Sequence, residues 1–149
     1  MRTVAPVVEI KSTLQKVRLP REKTKSFSWG LPFEAMAKAI LPSGYQLSLV
    51  ICGDDLAQRM NKKYRRKTYR PNVLSFPISK DEGEIFLNVR KAEREARTMG
   101  VAANWRLAHL FIHGCAHLSG HHHSDRMDAL EEKVLKRFGF KGIPQNTKS

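Results

Sequence analysis

The chain has 149 residues, with 27 Lys and Arg against 14 Asp and Glu, a formal charge of +13. That is the length of one domain and, at 41% apolar and 28% charged residues, the composition of a globular rather than a disordered chain. No apolar run approaches the roughly 20 residues of a membrane span, no signal-peptide core follows the basic N-terminus, and the two cysteines, Cys52 and Cys115, are too few for a disulfide framework. Membrane anchoring, secretion and multidomain architecture are therefore not expected; a cytoplasmic location is.

In chain order, residues 3–10 (TVAPVVEI) read as a strand that Pro6 confines to an edge or a bulge. A polar, basic and poorly patterned segment follows over 11–30. A helix over 32–41 opens on a proline suited to a first turn and lines up Phe33, Ala37 and Ile40. Leu41 to Gly44 breaks it, and 45–52 (YQLSLVIC) alternates as a strand. Gly53 then leads into a helix that Asp54 or Asp55 is expected to cap, with Leu56, Met60 and Tyr64 on one side. Pro71 ends that segment. Residues 72–78 (NVLSFPI) and 84–88 (EIFLN) are strands placed to pair as a hairpin about Lys80–Gly83. Helices over 89–98, 103–119 and 124–138 end near Gly100, Gly120 and Gly139. The expectation is a single α/β (α+β) domain over 1–140, with a mixed sheet of about four strands packed by about five helices, and a flexible tail over 141–149.

Charge is concentrated in residues 59–70, RMNKKYRRKTYR, which hold seven basic side chains, no acid and two tyrosines. Arg59, Lys62, Lys63, Arg65, Arg66, Lys67 and Arg70 together suit a polyanion, and Tyr64 and Tyr69 suit stacking on unpaired bases. A solvated basic face is the plainer alternative. Asn72 and Ser75, just beyond, can hydrogen-bond a substrate or simply order the turn and strand.

All six histidines fall within 109–123, HLFIHGCAHLSGHHH. His113 and His117 are four apart, so a helix projects both imidazoles from one face. Gly120 can turn the chain back and bring a residue of 121–123 to the same point. Three imidazoles with a fourth position open is the catalytic zinc arrangement. His121, His122 and His123 compete as third ligand on spacing alone; nickel, cobalt or copper would also be held. His109 lies one turn behind, in a packing or ligand-supporting role, and Cys115 and Cys52 read as buried hydrophobes. The spacing H-x-x-x-H-x-x-G-x-x-H is that of metzincin peptidases, which makes the late helix zincin-like, but Gly114 stands where those enzymes carry their general-base glutamate.

His113-Gly114-x-x-His117-Leu118-x-Gly120-x-x-His123 resembles the signature of the YbeY family of bacterial endoribonucleases. Asn61-x-x-Tyr64-Arg65, Asn72-Val73-Leu74-Ser75-Phe76-Pro77, Gly83-Glu84-Ile85, Leu110-x-x-His113-Gly114, and Met127 with Glu131 are similar to its other characteristic stretches. The likeness spans roughly 45–140. It implies a compact α/β fold and one Zn²⁺ per chain held by His113, His117 and His123. It also implies cleavage of single-stranded RNA in rRNA maturation and quality control of the small ribosomal subunit, with Arg65 at the family's active-site arginine. The sequence departs from the family at His122, where an aspartate is common, at Thr68-Tyr69-Arg70-Pro71, and at Cys115-Ala116. His122 is thereby expected beside the metal site without the carboxylate that would tune a ligand.

Arg65 is the expected phosphate clamp, since a guanidinium meets two non-bridging oxygens at once. No carboxylate stands out as a general base. Two other classes compete with the endoribonuclease: a zinc peptidase of similar motif, and a catalytically weak RNA- or ribosome-binding zinc protein.

Overall fold

The computed structural model describes residues 5–14, 30–121 and 124–144. Its elements, in order, are β1 (Val7–Ser12), α1 (Phe33–Ile40), β2 (Gln46–Cys52), α2 (Asp54–Arg65), β3 (Val73–Ser79), β4 (Glu82–Asn88), α3 (Val89–Met99), α4 (Ala103–Leu118) and α5 (Asp125–Arg137). The sheet order is β1-β2-β4-β3. The first three are parallel, and β3 closes the edge antiparallel to β4, with Leu74 opposite Phe86 and Ser75 opposite Ile85. This is the expected mixed four-stranded sheet in one α/β domain.

Strand β2 explains the layering. A central parallel strand is covered on both faces and so reads as a nearly continuous apolar run. Leu47, Leu49 and Ile51, joined by Ile85 and Leu87, pack with α1 and α4 in the main core. Val50, Cys52, Leu74 and Phe86 form a smaller core with Ala57, Leu56 and Met60 of α2. Phe33 of α1 meets Phe111 of α4 with ring centroids 4.6 Å apart; burying one such side chain contributes roughly 2–3 kcal/mol. Cys52 and Cys115 are fully buried, and desolvation pushes the Cys52 thiol up to about 12.

Three expectations change. Strand β1 begins after Pro6, which lacks an N–H for the ladder, and continues to Ser12. The cap of α2 is Gly53, with no side-chain cap bond, because Asp54 is used elsewhere. It accepts from Arg94 at 2.7 and 2.9 Å and from Asn88 at 2.9 Å. Thirdly, the chain after Gly139 is held at its start: Trp105 Nε1 donates to the Lys141 carbonyl at 2.8 Å, and Ile143 packs into the core. Residues 145–149 lie outside the described residues.

Candidate active site

Helix α4 forms because its apolar residues close on the sheet, with Leu107, Ala108, Phe111, Ile112 and Cys115 fully buried. That leaves the i, i+4 stripe His109, His113, His117 on one side. The rings of His113 and His117 stand nearly perpendicular, at 84°, with their Nε2 atoms 3.1 Å apart. Helix α4 ends at Leu118, and Gly120, at φ 94°, turns the chain so that His121 N–H bonds back to the Ala116 carbonyl. His122 and His123 lie outside the described residues, and among the described residues no group of three His, Cys, Asp or Glu is placed to hold a metal ion.

Glu131 of α5 organises the stripe from behind. It is buried, with one carboxylate oxygen 2.8 Å from His113 Nδ1 and the other 2.9 Å from His109 Nε2. Burial pushes its carboxyl up, but the bonds from the two histidines outweigh that and hold it at about 2. An ionised carboxylate only accepts, so His113 carries its proton on Nδ1 and turns the Nε2 lone pair toward His117. Arg106 only donates, and its Nη1 lies 3.1 Å from His109 Nδ1, which fixes the other tautomer on His109. Both ring nitrogens of His109 are thus engaged, one by Glu131 and one by Arg106. Sequence reasoning had placed Glu131 only within the resemblance. Its signal was an acid on the apolar stripe Met127, Val134, Leu135 of α5.

The network continues to the far wall. Arg106 donates to Glu95 Oε1 at 3.0 Å, and Asn72 Nδ2 donates to both oxygens of Glu95 at 3.2 Å. Asn72 and His113 therefore line one cleft of about 470 Å³ while being linked by this chain of bonds through Glu95, Arg106, His109 and Glu131. Arg65, Val73, Leu74, Ser75, Pro77 and His117 complete its lining.

Arg65 is the last residue of α2, and Arg66 leaves the helix in the left-handed region at φ 56°. The loop folds back because Asn61, fully buried, donates to the Tyr69 carbonyl at 3.0 Å, and Gln58 donates to the Thr68 carbonyl at 2.8 Å. The Tyr69 hydroxyl then accepts from Arg65 Nη1 at 3.0 Å, with Asn61 Oδ1 3.5 Å away. Of the basic run, only Arg65 lines the cleft. Arg59, Lys62, Lys63, Arg66, Lys67 and Arg70 are exposed on α2 and the loop after it. Tyr64 is 56% exposed, its ring 5.3 Å from that of Phe76. Asn61 is a second residue that sequence reasoning left without a role.

Gly114 is structural. A Cβ there would sit 3.0 Å from Ser75 Oγ and 3.1 Å from the Ile85 side chain, and the Ser75 hydroxyl donates to the Gly114 carbonyl at 3.1 Å. This helix face packs against β3 and β4, so a glutamate would not fit there, and among the described residues no carboxylate lines the cleft.

The comparisons agree with this architecture. The family model described as Endoribonuclease YbeY matches residues 9–139. An Endoribonuclease YbeY of Heliobacterium modesticaldum is 35% identical over 141 residues, covering 76% of this chain and 85% of that protein. One of Thiobacillus denitrificans is 36% identical over 110 residues, covering 67% and 75%. The solution structure of TM1509 from Thermotoga maritima shares the fold, with a TM-score of 0.60 at 21% identity over 89% of this chain and 91% of that one. The chain belongs to the YbeY family.

Proposed function

We propose that this protein is a zinc-dependent endoribonuclease that cuts single-stranded RNA during rRNA maturation and quality control of the small ribosomal subunit, in the cytoplasm. The observation that carries this reading is the pair of Nε2 atoms of His113 and His117, 3.1 Å apart in the cleft that Arg65 also lines. Two nitrogens bound to one tetrahedral zinc at about 2.05 Å stand about 3.3 Å apart. The donor set fits, with His113, His117 and, from the sequence pattern, His123 as the ligands. His122 would flank them.

When bound, zinc supplies a water acidic enough to yield hydroxide near neutral pH and screens charge on the phosphoryl oxygens. Glu131 keeps the His113 lone pair on Nε2; both its oxygens are engaged, so it does not take a substrate proton. Arg65, held by Tyr69 and Asn61, offers its guanidinium to the non-bridging oxygens already oriented. Arg59, Lys62, Lys63, Arg66, Lys67 and Arg70 follow the RNA backbone, and Tyr64 on Phe76 gives an unpaired base a face to stack on. The endoribonuclease relatives support RNA cleavage, and the lack of a carboxylate in the cleft among the described residues counts against a peptidase.

The test is the metal content of the purified chain together with cleavage of a labelled single-stranded RNA, with and without chelator, in wild type and His117→Ala. About one zinc per chain and chelator-sensitive cutting lost in the variant are expected. Zinc without cutting would move the protein to the RNA-binding class, and no metal would remove the site.

A further inference from the structure

We propose that Asn72 and Ser75 determine sugar specificity by accepting a hydrogen bond from a ribose 2′-hydroxyl, so that the cleft selects RNA over DNA. The inference rests on the RNA reading of the site and deepens it.

Asn72 can donate through Nδ2 and accept through Oδ1. One Nδ2–H is shared between both oxygens of Glu95. Glu95 is itself anchored by Arg106 at 2.9 Å, so the amide cannot turn over without setting Oδ1 against a carboxylate. Asn72 thus keeps Oδ1 as an acceptor, beside its second Nδ2–H, and Oδ1 takes no bond among the described residues. Ser75 is arranged the same way. Its only proton points at the Gly114 carbonyl, which can do nothing but accept, leaving the Oγ lone pairs. The closeness of α4 to β3 at Gly114 keeps that bond in place.

The cleft thus has a polarity. Arg65 brings donors only, while Asn72 and Ser75, at the start of β3, bring acceptors to the same cavity as His113. Acceptors repel phosphate oxygens, so this end does not extend the phosphate clamp. A ribonucleotide carries both complements, an anionic phosphate and, on the neighbouring sugar, a hydroxyl that can donate. A deoxynucleotide brings the phosphate alone and leaves the acceptors unpaired. A site built to bond a hydroxyl discriminates strongly against the analogue without it.

The experiment compares binding of three fluorescent oligouridylates of one length to the full-length, metal-loaded chain: ribo, 2′-deoxy and 2′-fluoro. Stopped-flow anisotropy reads binding before cutting accumulates. The 2′-fluoro sugar keeps a ribose-like pucker but has no proton to donate, so it separates hydrogen bonding from sugar shape. Wild type is expected to hold the ribo form about tenfold more tightly than either of the others, the worth of one or two hydrogen bonds. Asn72→Ala and Ser75→Ala each reduce that ratio to about threefold or less. Affinity for the deoxy form stays as it was, which also marks the variants as folded. Equal binding of all three oligonucleotides by wild type overturns the assignment while leaving the RNA reading intact. A ratio that survives in both variants does the same. Absence of binding to any of them overturns both.

Discussion

Glu131 accepts the Nδ1–H of His113 at 2.8 Å, and this one bond between α5 and α4 decides which nitrogen of His113 faces the cleft. Glu131→Gln keeps the volume but replaces an acceptor with a donor opposite one of two histidine N–H groups. Zinc affinity is expected to fall about 10- to 100-fold, read by competition with a chromogenic chelator. Unchanged affinity would reduce Glu131 to a packing role.

Arg65 is exposed and its contacts are local, so its substitution should separate rate from stability. Arg65→Ala is expected to lower kcat for RNA cleavage about 100-fold, and Arg65→Lys about tenfold because the forked geometry is lost. The free energy of unfolding should move by no more than about 0.5 kcal/mol. A change in KM alone would place Arg65 in binding rather than in the transition state.

Salt dependence tests the basic surface. Each phosphate contact on a single strand contributes about −0.7 to the slope of log K against log salt. The double variant Lys62→Gln, Lys63→Gln should flatten that slope by about 1.4 if both side chains meet phosphates. An unchanged slope would mark them as a solvated face.

Gly114→Ala sets two effects against each other. Alanine gains about 1 kcal/mol of helix propensity over glycine. Its Cβ, however, meets Ser75 Oγ at 3.0 Å and Ile85 at 3.1 Å, and crowding of a packed site typically costs 1–3 kcal/mol. The expected net result, by urea denaturation, is a loss of about 1 kcal/mol. A stabilised variant would show that β3 yields easily.

Asp54 gives the fold an acid-sensitive latch. The bond from Arg94 holds its carboxyl below the usual 3.8, at about 2; partial burial opposes this and the Asn88 bond assists it. A depressed carboxylate stabilises the fold above its unfolded value, and that contribution disappears as pH falls through its folded one. The stability gap between wild type and Asp54→Asn should therefore be full above about pH 3.8 and close toward pH 2. A gap independent of pH would mean that Asn88, not the charge, holds this contact.

Much of this was legible because periodicity and spacing report local geometry. Alternation in 45–52 and the hairpin signal at 80–83 gave the sheet its strands, and the four-residue spacing gave the His113–His117 pair. Sheet order was not legible, since the β2–β4 pairing spans α2 and β3 and leaves no local mark. Glu131 and Asn61 were invisible as site residues for a similar reason. Each acts on a partner through the fold; the place of Glu131 on the apolar stripe of α5 marks it as buried but does not name the histidines it meets. Asp54 misled because the first turn of a helix favours an acid whether it caps the backbone or, as here, reaches a side chain of another helix.

The dependence of the histidine stripe on α5 also has a bearing on how the site assembles. Helix α4 ends at Leu118, whereas the carboxylate that orients His113 belongs to Asp125–Arg137. A chain in which α4 has formed but α5 has not docked holds the whole His113–His117 pair with nothing to set its tautomer. Completion of the centre is thus a tertiary event, coupled to the docking of α5 rather than to the folding of the helix that carries the histidines.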